Sequence, residues 1–253
     1  MTALDFSPAP GAAPGSRRVL RHALIEARLM VRNGEQLLLA IAIPIGIVII
    51  GRFVGGPFGE PATLIPSVLG LAIWSSAFTS VAIATGFERR YGVLERLAAT
   101  PLGRTGLLAG KAGAVIMIVV GQVVIISAVG LILGWRPRPT PLTVLIALLI
   151  MVLAIATFSC LALLLAGRLR AEATLGLANL IYLIFAAGGG LVVAVDGYPG
   201  LIRPVLRLLP PGALGEGLRA AAAGTVLWWP LLVLAAWLVI SALLARATFR
   251  WTS

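Results

Sequence analysis

Between Arg138 and Arg168 the chain carries no Lys, Arg, Asp, Glu or His, and between Lys111 and Arg136 it again carries none. A helix needs about 20 apolar residues to cross the hydrocarbon core of a bilayer, and both stretches are long enough. Read the same way, the sequence holds six such segments, at 37–54, 64–87, 112–134, 142–167, 173–195 and 226–245. With 60% hydrophobic and 11% charged residues among 253, far below the roughly 25% charged of a soluble domain, the apolar surface exceeds what a core of this size can bury. The solvent is therefore lipid, where backbone groups must pair within their own segment. The fold class is all-α integral membrane, with Pro44, Pro66 and Pro230 marking kinks or helix starts.

The net charge of +11 does not point to nucleic acid, because the cations sit at the ends of the apolar segments rather than on a polar domain. With six spans both termini share one side. That side takes Arg17, Arg18, Arg21, Arg28 and Arg32, then Arg89, Arg90, Arg96, Arg104 and Lys111, then Arg168, Arg170, Arg246 and Arg250, fourteen of the 20 Lys and Arg. The other side takes Arg52, Arg136, Arg138, Arg203, Arg207 and Arg219. Cytoplasmic loops carry the excess of Lys and Arg, so both termini and the loop 88–104 are expected inside a bacterial cytoplasmic membrane. Residues 1–16, rich in Pro, Gly and Ala, read as a disordered tail without a signal-peptide pattern, followed by a single transmembrane domain over 17–253. The lone Cys160 excludes a disulfide framework. The lone His22 cannot make a metal site and reads as a polar-face residue of an amphipathic helix.

Two flanks are unusual. Residues 17–33 place Leu20, Ala23, Leu24, Ala27 and Val31 at helical spacing, with Arg18, Arg21, Arg28 and Arg32 mostly elsewhere on the wheel. This reads as an amphipathic arm in the membrane interface. Residues 196–225 are too long for a turn and too apolar for a solvated loop, and they hold Pro199, Pro204, Pro210, Pro211, Gly212, Gly215 and Gly217. Irregular backbone at membrane depth survives only under protein cover, so two short half-helices dipping into the outer leaflet are expected.

The chain lacks a recognisable energy source. The run Gly106-Leu107-Leu108-Ala109-Gly110-Lys111-Ala112 misses the spacing and the hydroxyl of a phosphate-cradling G-x-x-x-x-G-K-[ST] loop. The nine acidic residues, Asp5, Glu26, Glu35, Glu60, Glu88, Glu95, Glu172, Asp196 and Glu216, all fall in flanks or loops, whereas ion-driven carriers bind their ion on an intramembrane charge. No nucleophile elbow or H-E-x-x-H motif is present. The spacings Gly106-x-x-x-Gly110 and Gly130-x-x-x-Gly134 fit close helix packing, including dimerisation. Thr157, Ser159, Asn179 and Tyr182 either bond neighbouring helices or line a pathway.

The charged island Glu88-Arg89-Arg90-Tyr91-Gly92-Val93-Leu94-Glu95-Arg96-Leu97-Ala98-Ala99-Thr100-Pro101-Leu102 resembles the cytoplasmic loop of ABC-2 type transporter permeases. Their pattern is an acidic-basic start, Gly-Thr-Leu-Glu, a Leu, and then Thr/Ser-Pro-Leu; Val93 departs from it. The chain is most similar to the permeases of the daunorubicin/doxorubicin-resistance exporter group, and Leu209-Pro210-Pro211-Gly212-Ala213-Leu214 with Arg219 is similar to their re-entrant stretch before the last span. The resemblance implies a type V exporter-like permease with six spans, an interfacial arm, a coupling helix between spans two and three, and a re-entrant segment before span six. It implies that the chain binds no cofactor, ATP and magnesium being held by a separate ABC ATPase, and that a second permease copy encloses the pathway. The coupling surface would comprise Glu88, Arg89, Arg90, Tyr91, Gly92, Leu94, Glu95, Arg96, Leu97, Thr100 and Pro101, with Leu94 and Leu97 as its apolar anchor. The alternative reading is a non-transporting scaffold or assembly factor whose island docks a cytosolic protein.

Overall fold

Apolar sequence without internal charge dictates helices, and the computed structural model is built from them. It describes residues 13–32, 34–54 and 60–249, the side chains of 34–40 excepted. The helices are α1 (Gly15–Arg32), α2 (Gly34–Val54), α3 (Pro61–Trp74), α4 (Val81–Arg90), α5 (Val93–Ala98), α6 (Gly103–Ile132), α7 (Pro141–Ala166), α8 (Ala171–Gly188), α9 (Arg203–Leu208), α10 (Pro210–Ala222) and α11 (Trp229–Thr248). No strand occurs among the described residues.

A π-helical stretch, Ser75–Ser80, joins α3 to α4, so that Pro61–Arg90 is one rod of 30 residues. The rod is the hub. Of its most apolar stretch 72% is buried, against 17–33% in the four other helices long and apolar enough to cross a membrane, Gly103–Ile132, Pro141–Ala166, Ala171–Gly188 and Trp229–Thr248. Six spans were expected and five stand among the described residues. The expected first span, 37–54, contributes the shorter apolar helix Ile41–Val54.

Boundaries moved for local reasons. Capping starts α7 one residue before the expected span: Thr140 and Thr143 exchange side chain and backbone hydrogen bonds ahead of Pro141, a reciprocal cap that satisfies orphan N–H groups. The fifth expected span runs to 195, but α8 stops at Gly188, the first of three successive glycines, and the chain then turns inward. The tail was expected to reach residue 16, yet α1 already begins at Gly15; residues 1–12 lie outside the described set, as does Arg250.

Residues 196–225 form α9 and α10, a helical hairpin turning at Leu209. The α10 helix packs on α3, α7 and α11 and is buried from Pro210 to Gly215. Its turn reaches well down α11, where Trp237 Nε1 donates to the Leu208 carbonyl at 2.8 Å. The turn requires Gly212, because a Cβ there would lie 2.2 Å from the Leu206 carbonyl oxygen.

Candidate functional site

At one end of the rod, the last turn of α4 carries Glu88, Arg89 and Arg90. Glu88 faces inward, and its Oε1 lies 2.5 Å from Lys111 Nζ on α6. Lys111 is also 3.6 Å from Glu26 Oε2 on α1, and Glu26 Oε1 is 3.6 Å from His22 Nε2. Three elements far apart in sequence thus meet at one buried cluster, in which two carboxylates share a single ammonium. The sequence reading treated Glu26 as a flank charge, Lys111 as a topology determinant and His22 as a polar-face residue. The structure corrects the reading of His22, which is buried, as is Lys111; Glu26 does lie in the flank, half-buried, and is drawn into the same cluster.

The cause of that burial lies on α6. Gly106, Gly110 and Gly113 form a smooth face, and α1 lies along it; a Cβ at Gly110 would meet the His22 ring at 2.4 Å, and one at Gly113 would meet Ala23 at 3.0 Å. The Gly106-x-x-x-Gly110 spacing therefore seats the chain's own arm. Gly130 likewise lies against Ile65 of the rod. The arm turns Val19, His22, Ala23 and Glu26 toward the protein. Of the expected apolar face, Ala23 is buried, whereas Leu20, Leu24 and Val31 point outward with Ile25 and Leu29. Arg21, Arg28 and Arg32 are exposed, and Arg18 Nη1 donates to the Pro101 carbonyl.

Burial holds the His22 imidazole below its ordinary pKa of 6.5, Glu26 opposes that shift, and the Lys111 cation adds to it. The docked arm therefore prefers neutral His22, while an undocked arm takes up a proton near 6.5. The stabilisation is present above that pH and is lost as pH falls toward the depressed value. Amide exchange across α1 is expected to accelerate between pH 7.5 and 5.5 beyond its chemical pH dependence, with Glu26 and Lys111 as the charges acting on the imidazole. His22→Gln should flatten that response.

The island splits into an inward and an outward set. Leu94 is only 1% exposed, so it anchors α5 to its own chain; the expectation that it grips a partner is corrected by this burial. Arg89 is buried and its Nη2 donates to the Leu169 carbonyl at 2.6 Å. Arg90 pairs with Glu172 at the start of α8, an exposed pair of small energetic value. Gly92 caps α5 at φ +67°, a left-handed conformation that costs glycine nothing. Thr100 Oγ1 donates to the Leu97 carbonyl at 2.6 Å and accepts from Leu102 N at 3.3 Å, closing the turn before α6, while Leu97 is half-buried. Facing outward are Tyr91, 60% exposed, with Glu95, Arg96, Thr100 and Pro101. Arg96 Nη2 donates to the Tyr91 carbonyl at 2.8 Å, which holds these side chains on one small polar face.

At the opposite end, about 30 Å along the rod, Arg219 of α10 is buried. Its Nη1 donates to Ser67 Oγ and the Leu191 carbonyl, and its Nη2 to the Gly190 carbonyl and Glu216 Oε1, each at 2.8 Å. Glu216 Oε1 also accepts from Val195 N at 2.8 Å. This network ties α10 to the rod and to the segment after α8. Pro210, Pro211 and Gly212 are buried in the first turn of α10.

Between these ends, a cleft of about 230 Å³ opens beside Pro44 of α2, lined by the hydroxyls of Ser75, Thr79 and Ser80 with Asn179 and Tyr182. Thr157 has a structural role, donating to the Leu153 and Leu234 carbonyls at 2.7 and 3.0 Å. Ser159 Oγ has no hydrogen-bond partner among the described residues. No cluster of metal-ligating side chains occurs among the described residues.

No curated protein matches the chain. A family model described as ABC-2 family transporter protein matches residues 36–248, from α2 through α11 and including both the island and the helical hairpin. The chain is a multi-pass, all-helical membrane protein that belongs to the ABC-2 family of transporter proteins.

Proposed function

We propose that this protein is the membrane-spanning permease subunit of an ATP-driven exporter. A separate ABC ATPase docks on Tyr91, Glu95, Arg96, Thr100 and Pro101, and that ATPase holds the ATP and magnesium. The observation that carries this reading is how the outward face is mounted. Its two ends are fixed to the arm through Arg18 and Pro101, to α6 through Glu88 and Lys111, and to the α7–α8 turn through Arg89 and Leu169. A push on the face therefore reaches three elements at once. Opposite charges at Glu95 and Arg96 give a partner register and orientation.

In this reading α2 completes the set of six spans, and the Lys and Arg excess places the island and both termini in the cytoplasm. The helical hairpin is re-entrant from the outer side. The outward apolar face of α1, flanked by Arg21, Arg28 and Arg32, rests on the lipid interface. The polar cleft at Ser75, Thr79, Asn179 and Tyr182 faces the pathway, and a second permease copy closes it. The cargo is a hydrophobic drug, a lipid or a lipid-linked molecule, the first being favoured by the likeness of the island to daunorubicin/doxorubicin-resistance exporters.

Reconstitution with a soluble ABC ATPase tests the proposal. Glu95→Arg places two adjacent cations on the face and should lower permease-stimulated ATPase activity at least about tenfold, as expected when a rim charge meets its like across an interface. Membrane insertion should be unaffected, since Glu95 is exposed. Full stimulation by the variant would refute the docking face.

A further inference from the structure

A second cavity, of about 430 Å³, lies between the rod, α7, α8, α11 and the hairpin turn. Its walls are Trp74 and Phe78 of the rod, Leu161 and Leu165 of α7, Phe185 of α8 and Pro210 of α10. The aromatic side is rigid: Trp74 stacks on Phe78 at 4.4 Å and meets Phe158 edge-on at 4.6 Å. Of all its lining residues only Arg168 carries a charge. Arg168 is exposed, just beyond the end of α7, with the exposed Arg170 two residues on. The neighbouring Leu169 carbonyl is the one that Arg89 binds, so this mouth lies at the island end of the bundle. The next carboxylate along the sequence, Glu172, is engaged by Arg90.

An apolar cavity of this kind does not hold water stably. Its walls belong to helices long enough to span a membrane, so hydrocarbon chains are what surrounds it. A flexible aliphatic chain suits a slot that runs from Arg168 to the hairpin turn. A phosphate at the head of that chain would stay at the interface, where a guanidinium offers charge-assisted hydrogen bonds. A zwitterionic headgroup would bring its own cation among Arg168, Arg170 and Arg90, whereas an anionic one would not.

We propose that this cavity is the seat of one acyl chain of an anionic phospholipid whose phosphate is held by Arg168. The chain fills the space against Leu209, Pro210 and Pro211 and so supports the hairpin turn. The site is separate from the polar cleft and does not depend on the identity of any ATPase.

Tryptophan quenching by brominated lipids tests this. In a protein with Trp135, Trp228, Trp229 and Trp251 replaced by Phe, the two remaining indoles, Trp74 and Trp237, both line the cavity. In zwitterionic nanodiscs, phosphatidylglycerol brominated on its acyl chains should quench at about fivefold lower mole fraction than brominated phosphatidylcholine, the preference expected of roughly one basic contact. Arg168→Gln should remove that preference, and Arg32→Gln should leave it intact. Equal quenching by the two lipids, or a preference that survives Arg168→Gln, overturns the assignment. Native mass spectrometry of the unsubstituted protein gives an independent reading. Selective retention of one phosphatidylglycerol supports the site, and retention without headgroup preference contradicts it.

Discussion

Arg219→Met is expected to destabilise the protein by about 3–5 kcal/mol, the cost of removing one partner from a buried, hydrogen-bonded charge pair. The guanidinium satisfies Ser67, Gly190, Leu191 and Glu216 together. Met fills much of the volume and satisfies none of them. The residue left behind that matters most is Glu216, whose carboxylate keeps only its bond from Val195 N. The thermal midpoint in detergent should fall by roughly 10 °C or more. Adding Glu216→Gln should restore part of the loss, because the uncompensated charge is then gone. A midpoint within a degree or two of the unsubstituted protein would mean that the hairpin is held by apolar packing alone. Arg219→Lys should rescue only partly, since an ammonium cannot reproduce the planar fork that reaches both carbonyls and the hydroxyl.

Lys111→Met acts at the other end of the rod by a different route. It leaves Glu26 and Glu88 without their shared cation in a buried setting, a change of similar size, about 3–5 kcal/mol. Part of that energy is released by freeing α1 from α6. Hydrogen exchange over residues 15–32 should therefore rise by one to two orders of magnitude, while exchange in α7 and α11 stays unchanged. Glu88→Gln should be milder, because Lys111 keeps Glu26. If α1 stays as protected in Lys111→Met as in the unsubstituted chain, the glycine face of α6 and not the charge cluster holds the arm.

The spans were legible because a charge-free run of apolar residues admits one solution in lipid. The α6 and α7 helices needed no periodicity argument. The end of α8 was legible in principle from Gly188-Gly189-Gly190, but apolarity continues to Val195 and masks it: Leu191 is buried against the protein rather than spanning. The π-helical stretch Ser75–Ser80 left no mark beyond a cluster of hydroxyls. The charge cluster was hidden for another reason. His22, Glu26, Glu88 and Lys111 are assembled by helix packing, and each alone reads as a flank residue. The usable signal was Gly106, Gly110 and Gly113, whose three- and four-residue spacing marks a face cleared for another helix. In the island, composition showed that charges gather, but only the fold separates Glu88, Arg89 and Leu94, which turn inward, from Tyr91, Glu95 and Arg96, which do not.

The docking of an ABC ATPase on that outward set is the centre of the account, and site-directed photocrosslinking reads it directly. A photoreactive phenylalanine derivative is placed at Tyr91 or Arg96, and as a control at Ile132 at the far end of α6, in the permease assembled with its ATPase. Adducts with the ATPase subunit from Tyr91 and Arg96, with none from Ile132, are the predicted result. Co-assembly of the two proteins with no adduct from either island position would contradict it.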